Sequence, residues 1–157
     1  MQPDERRHLI EMYRDGYKAV AEVLQGITAD ELDARPGPGR WTAREIVHHL
    51  ADSEMTAAIR LRRLLAEDRP AIQGYDQEEF ARRLSYDRPH EASLDLFRAA
   101  RAATVEILDR LTDEQWRREG THTEMGAYSV EAWLDIYSQH AHRHAQQIGE
   151  ARGTKKG

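Results

Sequence analysis

The sequence of 157 residues contains no cysteine. This absence excludes a disulfide framework, a thiolate metal site and a protein thiol that acts as a nucleophile. Any thiol chemistry at this protein therefore requires an external thiol.

Blocks of basic residues and long apolar runs are missing as well. The 23 lysines and arginines are interspersed among 28 acidic residues, and the formal net charge is -5, so nucleic acid is not an expected partner. No stretch approaches the roughly eighteen apolar residues of a membrane span, and the charged N-terminal segment lacks the apolar region of a signal peptide. We expect a soluble cytoplasmic protein that binds neither nucleic acid nor membranes.

The length is that of one domain, long enough to bury about two thirds of its unfolded surface around one core. We expect a single domain over residues 1–153, followed by a short C-terminal tail at residues 154–157. Apolar residues recur at helical spacing in four long segments, and no alternating strand pattern competes with them. The predicted helices cover approximately residues 4–25, 42–67, 90–111 and 130–152.

Local signals mark the ends and connections of these helices. Thr42 and Ser129 are placed to cap the second and fourth helices, and Thr28 and Thr112 begin short helical turns. Residues 68–89 contain two prolines and a glycine and form a long crossover between the second and third helices, with a candidate short helix at 77–84. Residues 120–128 are expected to be irregular. The predicted fold is all-α, a four-helix bundle.

Histidines provide the main candidate for a functional site. His140 and His144 are four residues apart, so they share one face of the last helix and continue its apolar stripe. His49 lies on the apolar face of the second helix, whereas its neighbour His48 is turned by about 100° toward the edge of the site. His142 is turned by about 200° from His140 and is expected to be exposed.

Three inward imidazoles would suit a divalent transition metal, with zinc, nickel, iron and manganese all acceptable. The alternative is a set of core histidines that are satisfied by hydrogen bonds. Without a metal, however, each unsatisfied buried nitrogen would cost about 1–3 kcal/mol. Asp52, one turn after His49, is a candidate to orient a metal ligand or to accept a proton, and its alternative is an exposed acid.

Four segments, in this order and spacing, together resemble the DinB superfamily of metal-binding four-helix bundles, and its YfiT-like branch in particular. The segments are RWTAREIVHHLADSEM, RPAIQGYDQEEFA, THTEMGAYSVEAW and IYSQHAHRHAQQI. The resemblance implies that His49, His140 and His144 bind zinc or nickel with open coordination positions, and that the protein forms a homodimer. It also marks candidate rim residues, whose alternative role is a structural corner: Tyr75, Asp76, His122 and Glu124. The three tryptophans are interpreted as core or staple residues: Trp41, Trp116 and Trp133.

A divalent metal held by three neutral histidines keeps its charge and an exchangeable position. Such a site can activate a low-molecular-weight thiol for attack on an electrophile, or it can activate water for hydrolysis. The missing cysteine and the resemblance, which includes bacillithiol S-transferases, favour a thiol S-transferase whose partners are a bacillithiol-like thiol and an electrophilic substrate. The alternatives are a metal-dependent hydrolase and a non-catalytic, metal-stabilised bundle that serves stress response or binding.

Overall fold

The computed structural model describes residues 1–153, so the predicted tail at 154–157 lies outside the described residues. Four long helices form the bundle, and three short helices and three short strands connect them. The helices are α1 (Pro3–Leu24), α2 (Ala29–Leu32), α3 (Ala43–Ala66), α4 (Gln77–Arg83), α5 (Glu91–Leu108), α6 (Asp113–Trp116) and α7 (Val130–Gly153). The strands are β1 (Ala71–Ile72), β2 (Glu119–His122) and β3 (Gly126–Ser129).

The four long helices α1, α3, α5 and α7 confirm the predicted four-helix bundle. Both α1 and α3 pack against α5 and α7, so α1 is diagonal to α3 in the bundle. The predicted caps are present, because the Thr42 hydroxyl accepts from the Glu45 amide and the Ser129 hydroxyl accepts from the Ala132 amide. None of the described helices is both long and apolar enough to cross a membrane.

A small sheet corrects the expectation that residues 120–128 are irregular and that the chain has no strands. Strand β2 pairs antiparallel with β3 and parallel with β1, in the order β1-β2-β3. The strands have only two to four residues, too few for an alternating pattern to appear in the sequence. Gly120 is required here, because an added Cβ would lie 2.3 Å from the Pro70 carbonyl oxygen.

A buried ion pair joins the four long helices at the centre of the bundle. Arg101 of α5 and Glu54 of α3 are each about 1% exposed, and their side chains lie 3.1 Å apart. Arg101 also donates to the backbone carbonyls of Tyr13 in α1, at 2.6 Å, and Tyr137 in α7, at 3.1 Å. The Tyr13 hydroxyl donates to Glu54.

Two apolar clusters lie on either side of this ion pair. The Arg101 guanidinium stands 3.9 Å from the Tyr13 ring centroid and 5.2 Å from that of Phe97, which belong to different clusters. Helix α1 passes so close that a Cβ on Gly16 would meet Arg101 Nη1 at 2.3 Å. Only glycine at position 16 leaves room for the Arg101 guanidinium and its hydrogen bonds between α1 and α5.

The first prediction concerns this ion pair. We expect Arg101→Met to lower the free energy of unfolding by about 3–5 kcal/mol, because it leaves the Glu54 carboxylate buried without its cation. The control Arg98→Met, on the exposed face of the same helix, should change it by no more than about 0.5 kcal/mol. Urea unfolding followed by circular dichroism measures both values, and equal effects of the two substitutions would contradict the assignment.

Candidate metal centre

Three histidines from two helices converge at one point of the bundle. His49 is on α3, and His140 and His144 are on α7. His140 Nε2 lies 3.4 Å from His49 Nε2 and 3.2 Å from His144 Nε2. One nitrogen from each ring lies within 4.8 Å of the other two. The structure therefore brings together the three residues that the sequence predicts as metal ligands.

The start of α3 explains how His49 reaches this point. Thr42 caps the helix, and Trp41 before the cap packs in the same apolar cluster as Ile46 four residues after it, as in a hydrophobic staple. Trp41 and Ile46 thus place the start of α3 against the core, and His49 follows Ile46 by three residues on the same face. On α7, the four-residue spacing of His140 and His144 places their rings 4.5 Å apart.

Burial keeps the three imidazoles neutral. It lowers the pKa of His49 to about 3, with a smaller contribution from His144, and it lowers the pKa of His144 to about 4. The pKa of His140 falls well below its ordinary value, first because of burial and then because of the other two histidines. At neutral pH each ring therefore carries one lone pair, which is the form that binds a metal.

The geometry fits a transition metal ion. Two nitrogens bound about 2.0–2.1 Å from a tetrahedral metal are separated by about 3.3–3.4 Å, close to the observed separations of 3.4 and 3.2 Å. Hydrogen bonds among the rings cannot satisfy all three converging nitrogens, because each neutral ring has a single N–H. No fourth histidine, aspartate or glutamate of the described chain joins the cluster.

The second nitrogens of the rings differ in their partners. His144 Nδ1 lies 2.8 Å from Gln147 Oε1. A proton on Nδ1 would leave the Nε2 lone pair free, so Gln147 favours the metal-binding tautomer. His49 Nδ1 is buried without a hydrogen-bond partner. Asp52 therefore forms no hydrogen bond with His49, and its candidate role in orienting a metal ligand stays a prediction.

Asp52 is buried one turn after His49 and accepts a hydrogen bond from the Tyr86 hydroxyl at 2.6 Å. Burial, followed by the hydrogen bond to Asp52, raises the pKa of Tyr86, so this phenol stays protonated. The carboxylate is therefore fixed beside the site rather than exposed. Its role as a proton acceptor stays a prediction.

His48 lies outside the triad. Its Nδ1 is 2.7 Å from the Ser93 hydroxyl and its Nε2 is 3.0 Å from the Arg88 carbonyl oxygen. Both ring nitrogens thus have partners in the neighbouring helix α5 and the loop that precedes it, and neither is directed to the three converging nitrogens. The ring still contacts Tyr86, at 5.3 Å between centroids, which connects it to Asp52.

The other candidate rim residues have separate positions. Asp76 is exposed and caps α4 by accepting from the amides of Glu78 and Glu79. His122 Nδ1 accepts from the amides of Glu124 and Met125 and so closes the turn between β2 and β3. Their contacts are those of structural corners, the alternative considered for these positions.

Glu124 and Tyr75 are both neighbours of Gly74, the first in space and the second in the chain. The Glu124 carboxylate covers Gly74, where a Cβ would meet it at 2.8 Å. The Tyr75 hydroxyl is buried near Ser53 and Asp52 of α3. The crossover thus brings one of the four candidate rim side chains to the helix that carries His49.

His142 is not exposed, contrary to the expectation from its position on α7. It is half-buried, and its Nε2 lies 2.8 Å from the backbone carbonyl of Met12. The reason is that α7 also packs along α1, so the face opposite the triad is partly covered.

Trp41 was interpreted from the sequence as a staple residue, but it also lies beside the histidine triad. Its ring lies 4.6 Å from the His49 ring and 6.5 Å from the His144 ring. It also lines a cavity of about 220 Å³ that borders His144 and includes Gln77 and Glu78 of α4. A second cavity of about 490 Å³ shares Trp41 and Glu78 with the first. The sequence signal that could have placed Trp41 near the triad is its position eight residues before His49.

The helices and the site together define a four-helix-bundle protein with a three-histidine centre able to hold a metal. The profile of the DinB superfamily matches residues 12–148. The chain therefore belongs to the DinB superfamily.

Relatives and a solved structure agree with this family. A protein of Oceanobacillus iheyensis is 36% identical over 119 residues, which cover 76% of this chain and 69% of that protein. YfiT of Bacillus subtilis is 33% identical over 131 residues, 82% of this chain and 74% of YfiT. Both are provisionally named metal-dependent hydrolases. The solved structure of Bacillus subtilis YfiT, described as a four-helix bundle of unusual topology, matches with a TM-score of 0.89 and 28% identity, and the match covers 96% of this chain and 87% of that one.

The second prediction concerns protons. Because the pKa values of His49 and His144 are about 3 and 4, the metal-free site should already be neutral at pH 5.5. Zinc binding at pH 5.5 should then release close to zero protons, whereas a histidine of ordinary pKa, about 6.5, would release about 0.9 proton. Isothermal titration calorimetry in buffers of different ionisation enthalpy measures this number, and release of one or more protons would contradict the neutral triad.

The third prediction concerns metal content. Elemental analysis of tag-free wild type should give close to one divalent metal ion per chain, because three neutral nitrogens converge there. We expect His49→Ala and the double substitution His140→Ala/His144→Ala to lose this metal. His142→Ala is the matched control on α7 and should retain it. Wild type that folds but cannot be loaded with zinc or nickel would overturn the metal site.

Proposed function

We propose that this protein is a metal-dependent enzyme that transfers a low-molecular-weight thiol to an electrophilic substrate. One observation carries the proposal: three neutral imidazoles converge, one of them, His144, lines a cavity, and no fourth protein ligand joins them among the described residues. A site with three protein ligands retains a position for an exchangeable ligand, as in catalytic rather than structural centres. The open centre therefore supports catalysis over the alternative of a non-catalytic, metal-stabilised bundle.

His49, His140 and His144 would hold the metal, with zinc or nickel as the expected ions. When bound, a divalent metal would lower the pKa of an incoming thiol or water and so supply a nucleophile near neutral pH. The neutral imidazoles add no negative charge, so the full charge of the ion remains available for this effect.

The surrounding side chains can perform the remaining tasks. Trp41 presents an apolar face to the cavity beside His49 and His144, which suits the carbon skeleton of an electrophile. Asp52, held by the Tyr86 hydroxyl, is proposed as the acceptor of the thiol proton. The sulfur would then form its bond to the electrophilic carbon while the displaced group leaves with the bonding electron pair.

Two features support transfer of an external thiol. The chain has no cysteine, so no internal thiol competes for the metal or for the electrophile. The cavities of about 220 and 490 Å³ share a wall and offer space for two small molecules. The identity of the thiol, the cytoplasmic location and the homodimer implied by the resemblance stay predictions.

Hydrolysis is the second candidate function, and the names of the relatives from Oceanobacillus iheyensis and Bacillus subtilis favour it. In that case His49, His140 and His144 would hold a metal that activates water, and Asp52 would accept the proton of that water. The two reactions share the metal ligands and differ in the nucleophile.

The fourth prediction separates these functions. We expect metal-loaded wild type to conjugate 1-chloro-2,4-dinitrobenzene only when a thiol is added, with bacillithiol, mycothiol and glutathione tested in parallel. His49→Ala should reduce the rate to that of the uncatalysed reaction, whereas His142→Ala should retain activity. Absorbance of the thioether product measures the rate. Hydrolysis of 4-nitrophenyl acetate without any thiol, together with no conjugation, would favour the hydrolase instead.

A further inference from the structure

A second polar cluster lies about one turn of α7 away from the histidine triad. Tyr137 precedes His140 by three residues, and the centroids of their rings are 6.0 Å apart. Arg60 of α3 donates from Nη1 to the Tyr137 hydroxyl at 2.9 Å and from Nη2 to the Gln73 carbonyl oxygen at 2.7 Å. Tyr128, at the end of β3, lies beside both Tyr137 and Arg60.

Three polar atoms in this cluster are buried without a hydrogen bond. They are Arg60 Nε, the Tyr75 hydroxyl and the Tyr128 hydroxyl. The Tyr75 hydroxyl lies near Ser53 and the Tyr128 hydroxyl near Tyr137 and Arg60, but neither hydroxyl forms a hydrogen bond of ordinary geometry. Buried polar groups in native proteins almost always have a partner, so this cluster is suited to bind a polar molecule.

The chemistry of the three atoms specifies this molecule. Arg60 Nε–H can only donate, and the two phenols can donate as well as accept, so the cluster can offer three N–H or O–H groups to one ligand. Arg60 makes no ion pair with a carboxylate of the described chain, which leaves one positive charge without a partner. Asp52 is the acid near Tyr75, and it is engaged by Tyr86. The complementary group has two acceptor oxygens and one negative charge, as a carboxylate does.

We propose that Arg60, Tyr75 and Tyr128 bind a carboxylate of the small molecule that reacts at the triad. This assignment of a substrate class rests on the proposed function. His140 follows Tyr137 by three positions, an axial rise of about 4.5 Å, and the centroids of the two rings are 6.0 Å apart. The substrate is therefore a compound whose carboxylate lies a few bonds from its reacting group.

The fifth prediction compares two thiols that differ only in this group, 3-mercaptopropionate and 3-mercaptopropionamide. Because both carry the same thiol, any contribution of the metal to binding is shared. Isothermal titration calorimetry on metal-loaded protein should show that wild type binds the acid about tenfold or more tightly than the amide, as expected for charge-assisted hydrogen bonds. Arg60→Met should reduce this ratio to nearly one.

The matched control is Arg62→Met on the same helix. Arg62 is also half-buried and donates to the Ala58 carbonyl and the Thr104 hydroxyl, away from the cluster. It should keep the full preference for the acid. Equal acid-to-amide ratios in Arg60→Met and Arg62→Met would overturn the carboxylate site, as would a wild type that does not distinguish the two probes and so holds only water there.

A second variant distinguishes ligand binding from a structural role. Tyr128→Phe removes a buried hydroxyl that forms no hydrogen bond of ordinary geometry in the free protein, so the melting temperature without ligand should equal or exceed that of wild type. The same variant should lower the acid-to-amide ratio at least about threefold. A lower melting temperature with an unchanged ratio would mean that Tyr128 acts in folding alone.

The thiol conjugation assay on the same preparations separates this proposal from the proposed function. A wild type that prefers the acid through Arg60 but conjugates no thiol would overturn the S-transferase and leave the carboxylate site in place. Conjugation without any preference for the acid would have the opposite meaning.

Discussion

The ion pair between Arg101 and Glu54 is the interaction on which the remaining structure depends. Burying two charges costs several kcal/mol per ion, and the cost is offset only when every hydrogen-bonding group of the pair is satisfied. Here Tyr13 and the carbonyl of Tyr137 complete the set, so the rotation of each long helix is constrained. Glu54 follows His49 by five residues and Tyr137 precedes His140 by three. The constraint thus also fixes the positions of the metal-binding rings.

Sequence periodicity was sufficient for the bundle and for the three histidines. Helices of 18 to 24 residues repeat their apolar stripe several times, and Thr42 and Ser129 mark helix starts by a local hydrogen bond. His49, His140 and His144 interrupt apolar stripes, and polar side chains at such positions face the same interior. The prediction succeeded because rotation about a helix axis follows from counting residues.

Contacts between segments that are distant in the sequence cannot be read from helix periodicity. Glu54 and Arg101 appear in the sequence as ordinary charges on helices, because their pairing depends on which helices are neighbours. The same holds for Arg60, Tyr75 and Tyr128, which come from three separate elements. His142 was predicted to be exposed because its own helix was considered without α1. Strand β1 was missed because its parallel pairing, Ala71 with Thr121, joins residues fifty positions apart, whereas β2 and β3 pair locally but are too short for an alternating pattern.

The placement of the triad on α3 and α7 bears on the order in which the chain folds and binds a metal. His49 and His140 are separated by 91 positions, so an unfolded chain would have to close a very long loop to chelate one ion, at a cost in entropy that grows with loop length. The apolar clusters and the Arg101 ion pair contain no metal ligand, so we expect the bundle to fold before it binds an ion. The metal that it carries would then depend on which metals are available to the folded protein.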